Sequence, residues 1–234
     1  MQLETSHPSL FAARHTVKLG IIGAGNISGT LGVLWAAAGH SVRFGTRHPD
    51  RLASLLERAG HGASAGTAVE AATFGAVVFC SIPYGAWPDL APELAPVLAG
   101  KVVLDSANPY PDRDGPFATE AIAAGEGSGL PVARLLPGAR LIRAFNSVYF
   151  KTLETEAHRV GDRVGIPLAG DDADALQVAS GLVRDAGFEP VVVGPLLRAR
   201  DFDPGTAPYN TGMSGVELVK ALNRADARRS GPAS

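Results

Sequence analysis

The stretch Val17–Arg47, VKLGIIGAGNISGTLGVLWAAAGHSVRFGTR, constrains the fold more than any other part of the chain. A short apolar run ends at Ile22 and passes into Gly23-Ala24-Gly25. Apolar residues Ile27, Leu31, Leu34, Trp35 and Ala38 then recur at helical spacing up to Gly39, where a helix should stop. The order is strand, tight turn, helix, second strand. Gly23 permits a sharp exit from the first strand, and Gly25 lets the backbone approach a pyrophosphate lying on the exposed N–H groups of the helix start. The third position of the G-x-G-x-x-G pattern is Ser28, followed by Gly29, a relaxed form in which a small residue allows close helix-to-strand packing. Such a pattern alone is weak. Here a strand precedes it and a helix follows, which is the context a dinucleotide site requires; the competing reading is a glycine-rich turn that binds nothing.

The second strand, Ser41 to Gly45, bears on which dinucleotide. A site for NAD places a carboxylate at the end of this strand to hold the ribose 2′-hydroxyl. This chain has Thr46-Arg47 there instead, with Arg51 shortly after. A guanidinium grips a phosphate dianion with two parallel hydrogen bonds and a threonine hydroxyl adds a third, whereas a carboxylate would repel it. Pro49 suits a first helical turn, so Arg51 should sit near a positive helix end. NADP is expected over NAD, against the alternative that Arg47 and Arg51 are solvated surface charges.

The 234 residues suit one large domain or a domain with a small appendage. A composition of 46% hydrophobic and 19% charged residues with a net charge of −2 gives no case for nucleic-acid binding. The single cysteine, Cys80, lies in an apolar run and is expected to act as a buried hydrophobe. The six histidines are scattered without metal-ligand spacing. Neither a G-x-S-x-G elbow nor a triphosphate-binding loop is present. With no signal-peptide core and no apolar run approaching the eighteen or so residues that span a bilayer, a cytoplasmic protein without membrane contact is expected.

Taken in order, residues 1–16 form a polar leader, either disordered or an arm against a partner subunit. Pro49 to Ala59 is expected to be a helix presenting Leu52, Leu55 and Leu56, ended by Gly60, with a short third strand within His61–Gly66. Ala68 to Phe74 is a short helix, and Ala76 to Ser81 a strand buried on both faces of a parallel sheet. Its end, Ser81-Ile82-Pro83, should border the nicotinamide side of the cofactor. Trp87 opens a helical segment interrupted by Pro92 and Pro96, and serves more readily as a packing anchor than as a ligand stacker. Lys101 to Asp105 is the next strand, delivering Asn108 to the same edge. Tyr110 to Gly129, rich in glycine and proline, is expected to be a mobile loop near the substrate opening. A short helix around Leu130–Leu136 and a sixth strand, Ala139 to Phe145, lead to Asn146-Ser147.

Arg163 to Ala169 and Glu189 to Val193 should be strands flanking a helix, Asp172 to Ala186. A capping box at Ser214–Glu217 starts a last helix reaching about Asn223, followed by a frayed tail. The expected architecture is α/β: a Rossmann, doubly wound, mostly parallel sheet over 17–147, a smaller C-terminal α/β portion over 148–224 on the substrate side, and a flexible tail over 225–234.

With these landmarks placed, the chain resembles the coenzyme F-420-dependent NADP oxidoreductases, whose second substrate is a deazaflavin, and the related cytosolic domain of the six-transmembrane ferric reductases. The resemblance rests on GAGNISG, GHSVRFGTRHPDR, FCSIPY, VVLDSANPYP, LLPGARLIRAFNSV, GDD and VVVGPLLRARDFD, and covers about Val17 to Asp203. It implies that Gly23, Gly25, Asn26, Ile27 and Ser28 hold the pyrophosphate and that Thr46, Arg47 and Arg51 hold the 2′-phosphate. It also implies that Ser81, Ile82 and Pro83 line the nicotinamide side, facing a deazaflavin or flavin ring. The leader, the 112–129 segment and the Pro208-Tyr209-Asn210 region depart from the family pattern and bear on the acceptor pocket.

Hydride transfer between a nicotinamide and a flavin-like ring needs two planar rings held face to face, without an acid or a base. A ketone or imine acceptor would need a proton donor, for which Tyr110, Tyr149, Lys151 and Tyr209 are candidates. Asn108, Asn146 and Ser147 suit orientation of the nicotinamide or the acceptor, or else simply form turns. The function expected is NADPH-dependent hydride transfer to a deazaflavin, flavin-like or small organic acceptor. The alternative is an NADP(H)-binding redox sensor without turnover. A homodimer is a further expectation.

Overall fold

The computed structural model describes residues 16–60 and 62–230. The expected leader lies outside them except for Thr16, as do His61 and the last four residues of the tail. The fold opens with β1 (Lys18–Ile22), α1 (Asn26–Ala37) and β2 (Ser41–Gly45), followed by a 3-10 helix, Pro49–Leu52, that continues into α2 (Ala53–Ala59). Next come β3 (Ser64–Gly66), α3 (Ala68–Phe74), β4 (Val77–Cys80), α4 (Trp87–Leu98) and β5 (Val102–Asp105). Helices α5 (Pro111–Ala123) and α6 (Gly129–Leu135) precede β6 (Arg140–Arg143) and α7 (Phe150–Glu156). The chain closes with β7 (Gly165–Gly170), α8 (Ala173–Asp185), β8 (Glu189–Gly194), a 3-10 helix at Leu196–Asp201 and α9 (Gly215–Ser230).

One eight-stranded sheet has the order β3-β2-β1-β4-β5-β6-β7-β8. The first six strands are parallel, β7 runs antiparallel to β6, and β8 is parallel to β7. This is the doubly wound order, with the chain reversing direction across the sheet between β1 and β4. The carboxyl ends of β1, β2, β4, β5 and β6 therefore meet along one edge, where such sheets bind ligands.

Aliphatic strands buried on both faces separate two cores. One contains Trp35, Phe79, Phe145 and Phe188, whose rings meet edge to face, as between Trp35 and Phe79 at 5.3 Å. The other holds Tyr84, Trp87, Leu94 and Leu98 against Val78, Cys80 and Val103. Trp87 is fully buried and is a packing anchor. Burial pushes the Cys80 thiol well above its ordinary range, in keeping with an inert core residue.

Several details differ from expectation. The close helix-to-strand approach of the fingerprint falls at Gly32 rather than at Ser28-Gly29: a Cβ on Gly32 would lie 2.3 Å from the Phe44 ring, whereas one on Gly29 would make only ordinary contact with Leu55. Helix α4 runs through Pro92 and Pro96 without a break. Pro88, Pro92 and Pro96 all fall on its exposed face, so the carbonyls that lose their partners are hydrated while Trp87, Ala91, Leu94 and Leu98 pack inward. The expected loop over Tyr110–Gly129 is largely helical. Pro111 occupies the first turn of α5, Gly115 takes a left-handed φ of 64° that kinks it, and Pro116 starts the continuation. The last helix passes Asn223 and reaches Ser230, so the segment expected to fray from Arg224 is helical through that residue. Its capping box is formed, with Ser214 N–H donating to Glu217 Oε2 and Glu217 N–H to Ser214 Oγ.

Candidate dinucleotide and acceptor site

At the end of β1, Gly23 adopts φ +101°, and a Cβ there would sit 2.2 Å from the Ser81 carbonyl oxygen. The turn is thus closed to other residues on both counts. Gly25 is different. It caps α1 with no side-chain hydrogen bond, the first turn carries no acidic residue, and a Cβ on Gly25 would meet nothing within 4 Å. The N–H groups of Asn26 and Ile27 therefore open onto free space at a positive helix end, which fits a pyrophosphate. Ser28 is buried, its hydroxyl donating to the Gly25 carbonyl at 3.3 Å, which makes it a brace of the turn.

Past the end of β2, Thr46 Oγ1 accepts from His48 N–H at 3.3 Å, leaving the hydroxyl hydrogen to donate outward. Arg47 and Arg51 are exposed, on the two sides of Pro49, and neither is in an ion pair among the described residues. Two unengaged guanidiniums and a donor hydroxyl fit a 2′-phosphate.

Asn26, Ile27, Ser81, Ile82, Pro83, Asn108 and Asn146 line one open cleft of about 470 Å³ at the strand-end edge. The aromatic residues Tyr110, Tyr149, Phe150 and Tyr209 also line it, with Arg113. Ser147 does not line this cleft; its carbonyl accepts from Asn210 N–H at 2.8 Å, anchoring the segment that carries Tyr209. Lys151, in the first turn of α7, is exposed and outside the lining.

Beneath the cleft lies a polar cluster that sequence reasoning missed. Arg143, fully buried at the end of β6, pairs with the fully buried Asp105 of β5 and lies 3.9 Å from Asp203. Its Nη2 donates to the Ala107 carbonyl at 2.7 Å and to Asn108 Oδ1 at 3.4 Å. Asn146 Nδ2 donates to Asn108 Oδ1 and to Asp203 Oδ1, and Asp203 accepts from the N–H and hydroxyl of Ser128. Burial pushes the Asp105 and Asp203 carboxyls up while Arg143 pulls both back. The signal available in sequence was a charge closing each of two apolar strands, VVLD and RLIR, because buried charges must be paired. Asn146 Oδ1 is buried without a partner; an unmet acceptor on this cleft fits the amide of a nicotinamide carboxamide.

A second knot fixes the mouth. Asp114, buried in α5, accepts from the N–H of Tyr110 at 3.0 Å and from Arg113, which also donates to the Asn108 carbonyl at 3.0 Å. Gly85 is required here, since a Cβ would lie 2.5 Å from the Asp114 carbonyl oxygen. The Arg113 guanidinium lies over the Tyr110 ring at 4.8 Å, and the hydroxyls of Tyr110 and Tyr209 share a hydrogen bond. Among the described residues no group of three or more histidine, cysteine or carboxylate side chains could hold a metal, and no helix is long and apolar enough to cross a membrane.

The sheet order and the helices on its two faces define an α/β fold of the Rossmann type. Residues 18–109 match the family model described as NADP oxidoreductase, coenzyme F420-dependent. The curated metalloreductase STEAP3 of Rattus norvegicus is 28% identical over 186 residues, which is 80% of this chain, and the chain spans 36% of that protein's length. A hypothetical protein from Sinorhizobium meliloti is similar in structure, with a TM-score of 0.73 and 25% identity over 85% of this chain and 96% of that one. A candidate F420-dependent NADP-reductase from Arthrobacter sp. FB24 has the same fold, with a TM-score of 0.68 and 22% identity over 85% and 99% of the two chains. The family model carries the resemblance to the NADP oxidoreductases, and the two solved structures show the shared fold.

Proposed function

We propose that the chain is an NADPH-dependent oxidoreductase that transfers hydride between NADP(H) and a deazaflavin, flavin-like or small organic acceptor. The observation that carries this reading is the single cleft joining the open N-terminus of α1 to the ends of β4, β5 and β6 under aromatic side chains. NADPH, when bound, supplies the hydride.

The protein's own contribution is binding and alignment. The N–H groups at Asn26 and Ile27 take the pyrophosphate, and Thr46, Arg47 and Arg51 take the 2′-phosphate. Ser81, Ile82 and Pro83 form one wall of the nicotinamide site, where Asn146 Oδ1 orients the carboxamide. Tyr110, Tyr149, Phe150 and Tyr209 offer faces and edges to a planar second substrate. Alignment of bound reactants lowers a barrier by up to about 7 to 11 kcal/mol where the geometry is near attack.

The test is NADPH oxidation by the purified protein with oxidised deazaflavin, FMN and FAD, followed by absorbance, with NADH as the comparison. Steady NADPH consumption with one ring acceptor supports the reading. Tight NADPH binding without turnover across the panel contradicts a ring acceptor and points to a small organic acceptor or a redox-sensing module.

A further inference from the structure

We propose that Asp203 is a positioning residue for the cofactor: by fixing the amide of Asn146, it makes the cleft demand a hydrogen-bond donor from the substituent on the nicotinamide ring. The inference rests on the functional reading above and deepens it, because it gives the segment after the last 3-10 helix a role and says which dinucleotides the cleft refuses. A ring bearing a carboxamide meets the demand. A ring bearing a carboxylate or a methyl ketone brings only acceptors and does not.

The argument is one of which atom faces which. One amide atom of Asn108 lies 2.7 Å from the Asn146 carbonyl, and only a nitrogen can bond there. Asn108 therefore turns its oxygen to the Asn146 side chain and to Arg143. Asp203 brings a second oxygen to the same place. The Asn146 amide atom that lies 3.2 Å from Asn108 Oδ1 and 3.1 Å from Asp203 Oδ1 must then be the nitrogen, with both its hydrogens engaged. The oxygen of that amide is left to the remaining side, buried and without a partner, on a residue that lines the cleft beside Ile27, Ser81 and Ile82. Leaving such an acceptor unmet is costly, so a ligand that brings a donor is favoured over one that does not.

Asp203 holds this direction because a carboxylate accepts on both oxygens. Its Oδ2 accepts from Ser128 N–H at 2.7 Å, its Oδ1 from the Ser128 hydroxyl at 2.6 Å, and the Arg143 guanidinium lies 3.9 Å away. An amide at this position could not satisfy the same neighbours. The Ser128 N–H is a backbone donor and would keep the amide oxygen where Oδ2 stands, which sets the new NH₂ against Asn146 Nδ2. Donor would face donor. Asn146 could relieve this only by turning its own NH₂ toward the cleft and its oxygen toward Asn108 Oδ1, and the demand for a donor on the ligand would be lost. Asp203 is not among the residues lining the cleft, so it acts through Asn146.

The experiment is isothermal titration of the full chain with oxidised NADP and with 3-acetylpyridine adenine dinucleotide phosphate, whose methyl ketone keeps the carbonyl and lacks the NH₂. The wild type should bind NADP about 5- to 150-fold more tightly than the analogue. Asp203→Asn should bring that ratio to within about threefold of unity, and so should Asn146→Ala, which removes the acceptor outright. Ser128→Ala loosens Asp203 without setting a donor against Asn146, so its ratio should stay within about twofold of the wild type. A merely structural role for Asp203 would weaken both nucleotides alike and leave the ratio where it was. A wild-type ratio retained in Asp203→Asn, or a ratio lost in Ser128→Ala, overturns the role of Asp203. Equal binding of the two nucleotides by the wild type overturns the demand for a donor, and the functional reading survives either result. A wild type that binds neither nucleotide overturns that reading as well.

Discussion

Asn108 and Asn146, at the ends of adjacent strands, are joined twice: Asn108 Nδ2 donates to the Asn146 carbonyl at 2.7 Å and Asn146 Nδ2 donates to Asn108 Oδ1 at 3.2 Å. This pair lines the cleft and rests on the buried Arg143. Asn108→Ala removes the acceptor shared by Arg143 and Asn146; Arg143 Nη2 keeps the Ala107 carbonyl and Asn146 Nδ2 keeps Asp203, so one hydrogen of each loses its partner. A loss of about 1 to 3 kcal/mol is expected for an unsatisfied buried group. Each kcal/mol corresponds to roughly 2 to 4 °C in a domain of this size. Thermal denaturation followed by circular dichroism checks this, and an unchanged midpoint would show that water replaces the lost amide without cost.

The two fingerprint glycines separate folding from binding. Gly25→Ala meets no atom within 4 Å and does not require a left-handed backbone, so its stability should match wild type within about 0.5 kcal/mol. Its methyl group would nonetheless stand where the pyrophosphate approaches. NADPH affinity should fall at least tenfold, by roughly 1.4 kcal/mol. Isothermal titration beside a melting curve gives both numbers, and undiminished affinity would move the pyrophosphate away from this turn.

Asp114 gives the mouth of the cleft a pH dependence. Burial pushes its carboxyl up, but the bonds from Arg113 and from the N–H groups of Tyr110 and Gly85 outweigh that and hold it below its ordinary range. A carboxyl depressed in the folded state contributes stability that is complete above the unfolded value of about 3.9 and is lost as pH falls through the folded value. Urea unfolding of wild type and Asp114→Asn should therefore differ by a constant amount above roughly pH 5 and converge below the unfolded value. A difference that grows on acidification would reverse the assigned sign.

Local chemistry made much of this fold legible. Ser41–Gly45 and Ala68–Phe74 were legible in the sequence, and the structure draws the same limits; the Thr67–Glu70 capping box that starts the helix emerged only in the structure. Two segments misled because composition is blind to which face a residue occupies. The prolines of α4 all point to solvent, and those of α5 sit where a helix begins or restarts. The polar cluster was hidden for a different reason: Asp105 and Arg143 are 38 residues apart, and Tyr110 and Tyr209 are 99 apart. Each looks ordinary until the sheet order brings its partner alongside. Asn108 and Asn146 were visible as polar groups at strand ends, but their mutual bonding was not.

The central claim is that this edge of the sheet binds NADPH through its 2′-phosphate, and fluorescence titration of wild type and Arg47→Ala with NADPH and NADH tests it most directly. Charge-assisted hydrogen bonds contribute roughly 1.5 to 3 kcal/mol. The wild type should prefer NADPH, and Arg47→Ala should weaken NADPH by about 10- to 150-fold while leaving NADH nearly unchanged. Equal losses for both nucleotides, or no preference in the wild type, would contradict the assignment.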